Sequence, residues 1–158
     1  MLIRFDGPLD LSATLECGQA FRWRRQDPES WFHGVVFGNV VKMRQRPRGV
    51  EFLCAPDDDS TMEPLLREYL RLEDDLDAIH RSMAADGHIG AAIARWPGLR
   101  LLRQDSWECL ISFICSANSN IRRISGNIED MSTRFGRPLG LGDGGRNSFP
   151  TPEELADV

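Results

Sequence analysis

Between Trp31 and Ala55 three apolar runs, WFHGVVFG, NVVKMRQ and GVEFLCA, follow one another with almost nothing between them. A parallel pair needs a crossover of a dozen or more residues, and no gap in this stretch has that length. The runs must pair as antiparallel neighbours, which commits the chain to a sheet of hairpins. An earlier run, AFRWRRQ, extends the series. Turn chemistry sits in each gap: Gln26-Asp27-Pro28-Glu29-Ser30, Gly38-Asn39 and Arg46-Pro47-Arg48-Gly49. Enrichment in Val, Phe and Trp with partial alternation assigns strands up to about residue 56.

The pattern then becomes helical. In DDDSTMEPLLREYLRL, Ser60 and Glu63 have capping-box spacing, and Leu65, Leu66, Tyr69 and Leu70 form a stripe. A second helix is expected through Leu76, Ile79 and Met83, ending near Gly87, and a third over His88 to Arg95, stopped by Trp96-Pro97-Gly98. The acidic runs Asp57-Asp58-Asp59 and Glu73-Asp74-Asp75 fall at helix starts, where the macrodipole favours them, and capping is preferred over a metal site. Asp105, with Glu108 three residues on, can cap a helix whose Leu110, Ile111, Phe113 and Ile114 suggest burial on most sides. A break at Ala117–Ser119 precedes a helix from Asn120 to Phe135, closed by Gly136. Pro152 to Leu155 opens another helix with no body, which reads as the start of something longer.

Composition narrows the function classes. No apolar run is long enough to span a membrane, and the N-terminus lacks the basic and apolar regions of a secretion signal. Cys17, Cys54, Cys109 and Cys115 form no C-x-x-C pair, and His33, His80 and His88 complete no zinc set. Free, mostly buried thiols are expected, with no metal and no cofactor. Net charge is −5, yet residues 1–50 carry eight basic against five acidic side chains, while residues 51–105 carry six against twelve. The overall sign therefore describes no single face.

The stretch FICSANSNIRRISG is the most informative. An apolar helix runs into small and amide residues, and a new helix begins whose N–H groups form an anion site. Arg122 and Arg123 stand in its first turn, where the dipole disfavours cations unless an anion is near. Asn118 and Asn120 carry amides that both donate and accept, which suits the edge of a nucleobase.

The run RLLRQDSWECLISFICSANSNIRRISGNIEDMSTRFG closely resembles the segment that opens the helical core of the 8-oxoguanine DNA glycosylases. LDLSATLECGQAFRWRRQ resembles the first strands of that family's N-terminal domain, and YLRLEDDLDAIHRSM the segment linking the two. The resemblance implies an α+β fold: a twisted antiparallel sheet like that of the TATA-binding protein, then the start of an all-α helix–hairpin–helix glycosylase core. It implies domains over residues 1–78 and 79–158. By the same resemblance, Gly18 presents its main-chain carbonyl to the oxidised base. 8-Oxoguanine has a protonated N7 where guanine has an acceptor, so a carbonyl there accepts from the lesion and repels the normal base. Asn118 and Arg123 match residues that hold the cytosine left behind when the base is flipped out. Asn120 and Arg122 are further candidates for DNA contact. The family's elbow commonly has three consecutive asparagines, and here the middle one is Ser119, whose shorter hydroxyl loosens contact with the strand.

The family's chemistry uses a lysine that attacks C1′ and forms a Schiff base, and an aspartate that stabilises the sugar-like transition state. Both are expected beyond position 158, so no catalytic residue is assigned here. Lys42, the sole lysine, reads as a solvated strand residue. The implied partner is double-stranded DNA containing 8-oxoguanine, and the implied protein a bifunctional N-glycosylase and AP lyase. It is expected to be a monomer in the cytoplasm of a prokaryote or the nucleus of a eukaryote. An alkylated-base glycosylase of the same superfamily and a truncated, non-catalytic binding module are the alternatives.

Overall fold

The computed structural model describes residues 1–25, 31–140 and 145–156. Strands β1 (Leu2–Ile3), β2 (Arg24–Arg25), β3 (Phe32–Val36), β4 (Asn39–Arg46) and β5 (Gly49–Ala55) form an antiparallel sheet in the order β1-β5-β4-β3-β2. In the β3–β4 hairpin Val36 pairs with Asn39, and Phe37 and Gly38 adopt φ of 48° and 74°. Two left-handed residues make the turn whose twist matches the strands. It is centred on Phe37-Gly38, one residue earlier than Gly38-Asn39. Arg46 pairs with Gly49 around Pro47-Arg48, as expected. The turn expected at Gln26 to Ser30 lies outside the described residues.

The register aligns Phe32, Met43 and Phe52 across the sheet, all buried. Gly34 is next in β3, and the Trp23 indole lies so close to it that a Cβ would stand 2.5 Å from the ring. Helix α1 (Leu11–Glu16) adds Leu11, Thr14 and Leu15 to the core, and α2 (Asp59–Tyr69) adds Met62, Leu66 and Tyr69. Trp23 donates its indole N–H to the Tyr69 hydroxyl at 2.8 Å, which closes this core with a satisfied polar pair.

Local details depart from the sequence reading. The segment LDLSATLE, read with the first strands, contains α1, capped by Asp10 accepting from the Ala13 N–H. AFRWRRQ supplies only the two residues of β2, because Arg22 and Trp23 are drawn into the interior. The α2 cap is Asp58, which accepts from the Thr61 N–H and the Ser60 hydroxyl, so Ser60 supports the cap instead of forming it. Helix α3 (Leu76–Met83) is capped by Asp75 and ends before Gly87, which is the first residue of α4 (Gly87–Arg95).

Helices α5 (Ser106–Ser116) and α6 (Ile121–Phe135) follow, then the pair β6 (Pro138–Leu139) and β7 (Arg146–Asn147), and α7 (Pro152–Ala156). Asp105 caps α5 as expected. The expected burial of α5 on most sides is not found: Leu110, Phe113 and Ile114 are 51%, 75% and 59% exposed, because no described residue packs over that face. The cysteines are free, but Cys17 and Cys109 are exposed and the other two only partly covered. Among the described residues no helix is long and apolar enough to cross a membrane.

Candidate nucleic-acid interface

Gly18 occupies the turn that leaves α1, at φ 88°, a conformation glycine adopts without a Cβ penalty. The next residue holds this turn in place. Gln19 donates from Nε2 to the carbonyls of Thr14 (2.8 Å) and Arg100 (2.9 Å), and its Oε1 accepts from the Leu102 N–H (2.9 Å). The Gln19 carbonyl accepts from Gln104 Nε2 at 2.6 Å. The Gln19 side chain thus ties the turn both to α1 and to the segment that leads into α5. Arg100, buried, continues the stitch by donating to the carbonyls of Pro8, Arg71 and Asp74. The Gly18 carbonyl itself accepts no hydrogen bond from a described residue.

The α5–α6 elbow is built by local bonds. Ser116 donates its hydroxyl to Phe113 O at 2.6 Å, and the Ser119 N–H donates to Ser116 O at 3.2 Å. Asn118 lies between them at φ 50°, a left-handed position that asparagine tolerates better than most residues, with its side chain exposed. The Ser119 hydroxyl is shielded and has no hydrogen-bond partner among the described residues. Asn120 is extended and accepts from the Arg123 N–H at 3.0 Å, so its side-chain oxygen serves as the α6 N-cap. Arg122 and Arg123 are exposed, and their guanidinium groups make no ion pair with a described residue.

The two features meet. A Cβ at Gly18 would stand 2.9 Å from Ile121 Cδ1, so the turn rests directly on the first residue of α6. The fold therefore brings Gly18 to the elbow that carries Asn118, Asn120, Arg122 and Arg123, from positions about a hundred residues apart in sequence. Lys42 belongs elsewhere, in the middle of β4 between His33 and Leu53.

The sequence reading missed a group of charges centred on Arg22. The Arg22 side chain is 2% exposed, with Glu108 at 4.0 Å and Glu129 at 3.8 Å. Arg146 donates to Glu129 at 3.1 Å and to the Arg22 carbonyl at 3.0 Å. Burial lowers the affinity of Arg22 for its proton, and burial pushes the Glu108 carboxyl up to about 7 in spite of Arg22. Nothing in sequence distinguishes Arg22 from the exposed Arg24 and Arg25 beside it. Gln19 could have been suspected only from its place next to Gly18.

Residues 2–110 match the family described as 8-oxoguanine DNA glycosylase, N-terminal domain. The chain is 32% identical to the N-glycosylase/DNA lyase of Saccharomyces cerevisiae over 158 residues and 33% identical to N-glycosylase/DNA lyase OGG1 of Arabidopsis thaliana over 156. Those alignments take in 93% and 95% of this chain but 42% of each relative. Among solved structures, MBOgg1 in complex with a low-affinity DNA ligand superimposes with a TM-score of 0.89 at 31% identity, over 99% of this chain and 53% of that one. The Clostridium acetobutylicum 8-oxoguanine glycosylase/lyase, in complex with double-stranded DNA containing cytosine opposite 8-oxoG, gives 0.86 at 27%, over all of this chain and 56% of that one. A 3-methyladenine DNA-glycosylase from Archaeoglobus fulgidus gives 0.77 at 14% identity, a likeness of fold alone. With the match spanning the sheet, the Gly18 turn and the start of α5, the chain belongs to the 8-oxoguanine DNA glycosylase family and carries its N-terminal domain.

Proposed function

We propose that this chain is the lesion-reading part of an 8-oxoguanine DNA glycosylase and AP lyase, acting on double-stranded DNA in base-excision repair. One observation carries the reading: the Gly18 turn, whose carbonyl accepts no hydrogen bond from a described residue, rests on Ile121 beside the elbow, where the exposed side chains of Asn118 and Arg123 have no partner among the described residues. In this account the Gly18 carbonyl accepts from N7–H of a flipped 8-oxoguanine. Guanine offers a lone pair at that atom and is repelled. Asn118 enters the vacated position, and Arg123 donates to the orphan cytosine's acceptors. Arg122, in the first turn of α6, contributes charge toward the phosphates. Asn120 acts mainly by capping, which aims the first turn. The relatives named as N-glycosylase/DNA lyase and the glycosylase solved with cytosine opposite 8-oxoG support this substrate over an alkylated base.

The chain spans less than half the length of those curated relatives, and the whole protein's chemistry is part of the proposal. The attacking lysine and the aspartate are assigned outside residues 1–158, since Lys42 is held within the sheet. Domains over 1–78 and 79–158, a monomeric state, and a place in the nucleus or on a prokaryotic chromosome belong to the same reading.

The test is equilibrium binding of the chain at low salt to duplexes that differ only in 8-oxoG:C against G:C. Tighter binding to the lesion duplex is expected, with both affinities falling steeply as salt rises. Equal affinity for the two duplexes would remove lesion reading from this chain.

A further inference from the structure

Four ionisable side chains from four separate segments converge around Arg22. Arg22 comes from the segment between that turn and β2, Glu108 from α5, Glu129 from α6 and Arg146 from β7. Arg22 also donates from Nη2 to the Asn147 carbonyl, and Arg146 donates back to the Arg22 carbonyl. The arrangement joins the backbone on both sides of the candidate interface. Arg22 is four residues beyond Gly18, Glu108 is on the helix that ends at the elbow, and Glu129 is on the helix that begins there.

The geometry is a poor one for stability. Both carboxylates stand too far from Arg22 to hydrogen-bond it, and Arg22 Nε, Arg22 Nη1 and Arg146 Nε are buried with no hydrogen-bond partner among the described residues. Apolar side chains of similar volume would hold these segments together as well or better. What charges supply and apolar groups do not is a defined register that responds to protonation.

Building on the lesion-reading role above, we propose that Arg22, Glu108, Glu129 and Arg146 are positioning residues, which set the spacing between the Gly18 carbonyl and the Asn118–Arg123 elbow. With Glu108 neutral, Arg22 is attracted to Glu129 alone and leans toward α6. With Glu108 ionised, Arg22 Nη1 is drawn toward α5, and the Gly18 turn follows through the backbone. The charged and titratable groups facing Glu108 are Arg22 from the sheet side, Asp105 at its own helix cap, Glu129 from α6, Arg146 from β7 and the Tyr69 hydroxyl from α2.

The experiment is a pH titration of the isotopically labelled chain by NMR, following the Glu108 carboxyl carbon together with the amides of Gly18, Gln19, Asn118 and Ser119. The expected result is one shared midpoint near neutrality, and a flat response of those amides in Glu108→Gln. Amides that do not titrate, that titrate with a midpoint different from the carboxyl's, or that titrate unchanged in Glu108→Gln would overturn the proposal. If Glu108→Gln does not fold, the comparison of midpoints in the wild-type chain decides alone. These readouts need no DNA, so their failure is distinct from a failure of lesion preference.

Discussion

Gly18 combines two constraints that any other residue would break. Its φ of 88° strains a side-chain-bearing residue, and a Cβ would press to 2.9 Å on Ile121 Cδ1. The Ile121 terminus can rotate away, so the backbone term dominates, at about 1–2 kcal/mol. Gly18→Ala is therefore expected to lower the unfolding midpoint modestly in a urea titration. It should abolish any preference for an 8-oxoG duplex, because the turn presenting the carbonyl must relax. Glu108 gives a second prediction at this scale. Unfolded, it loses its proton near 4.5, and folded it keeps the proton up to about 7. Between those values the unfolded chain binds fewer protons, so this group's contribution to stability is complete at acid pH and is lost as pH rises toward 7. Urea midpoints measured at about pH 5 and pH 8 should diverge less for Glu108→Gln than for the wild type. Equal divergence would show that Glu108 titrates as an ordinary surface carboxylate.

At the scale of elements, α6 is placed by Asn120. Its side chain caps the helix through the Arg123 N–H, so Asn120→Ala should cost about 1 kcal/mol. In a thermal melt this appears as a fall of roughly 2–4 °C. A loss of DNA affinity with no change in stability would instead make Asn120 a direct contact. The hairpins from Trp31 to Ala55 were legible because two-residue turns leave only one pairing open to neighbouring strands. The helices with a capping aspartate or a sustained stripe were legible for equally local reasons. Helix α1 was not: six residues are too few to display a period, and Leu11, Thr14 and Leu15 are held by the core and not by propensity. The elbow stood out by its amide and basic residue types, whereas Gly18 took its significance from the family resemblance. Their contact through Ile121, the Gln19 stitch and the buried Arg22 depend on tertiary packing, and short-range pattern carries no trace of it.

At the scale of the whole molecule, the chain carries an apolar surface it does not cover. Phe113 and Ile114 on α5, with Ile121 beside Gly18, stand more than half exposed, and contiguous exposure of this kind promotes association. Phe113→Gln is expected to reduce self-association in sedimentation velocity and leave the melting temperature unchanged, since a side chain 75% exposed contributes little to the core. A lower melting temperature would show that Phe113 is buried in solution. The net charge of −5 sets a second expectation, weak binding to undamaged DNA, because an acidic chain gains little net attraction from the phosphates. The central claim is that the Gly18 turn and the α5–α6 elbow form one lesion-reading surface. It is tested most directly by mapping backbone amide shifts on adding an 8-oxoG:C duplex and subtracting those seen with G:C. The account predicts that the difference concentrates at Gly18, Gln19 and Asn118 to Arg123. A difference map centred on the outer face of the sheet, around Lys42 and Leu53, with the elbow silent, would contradict it.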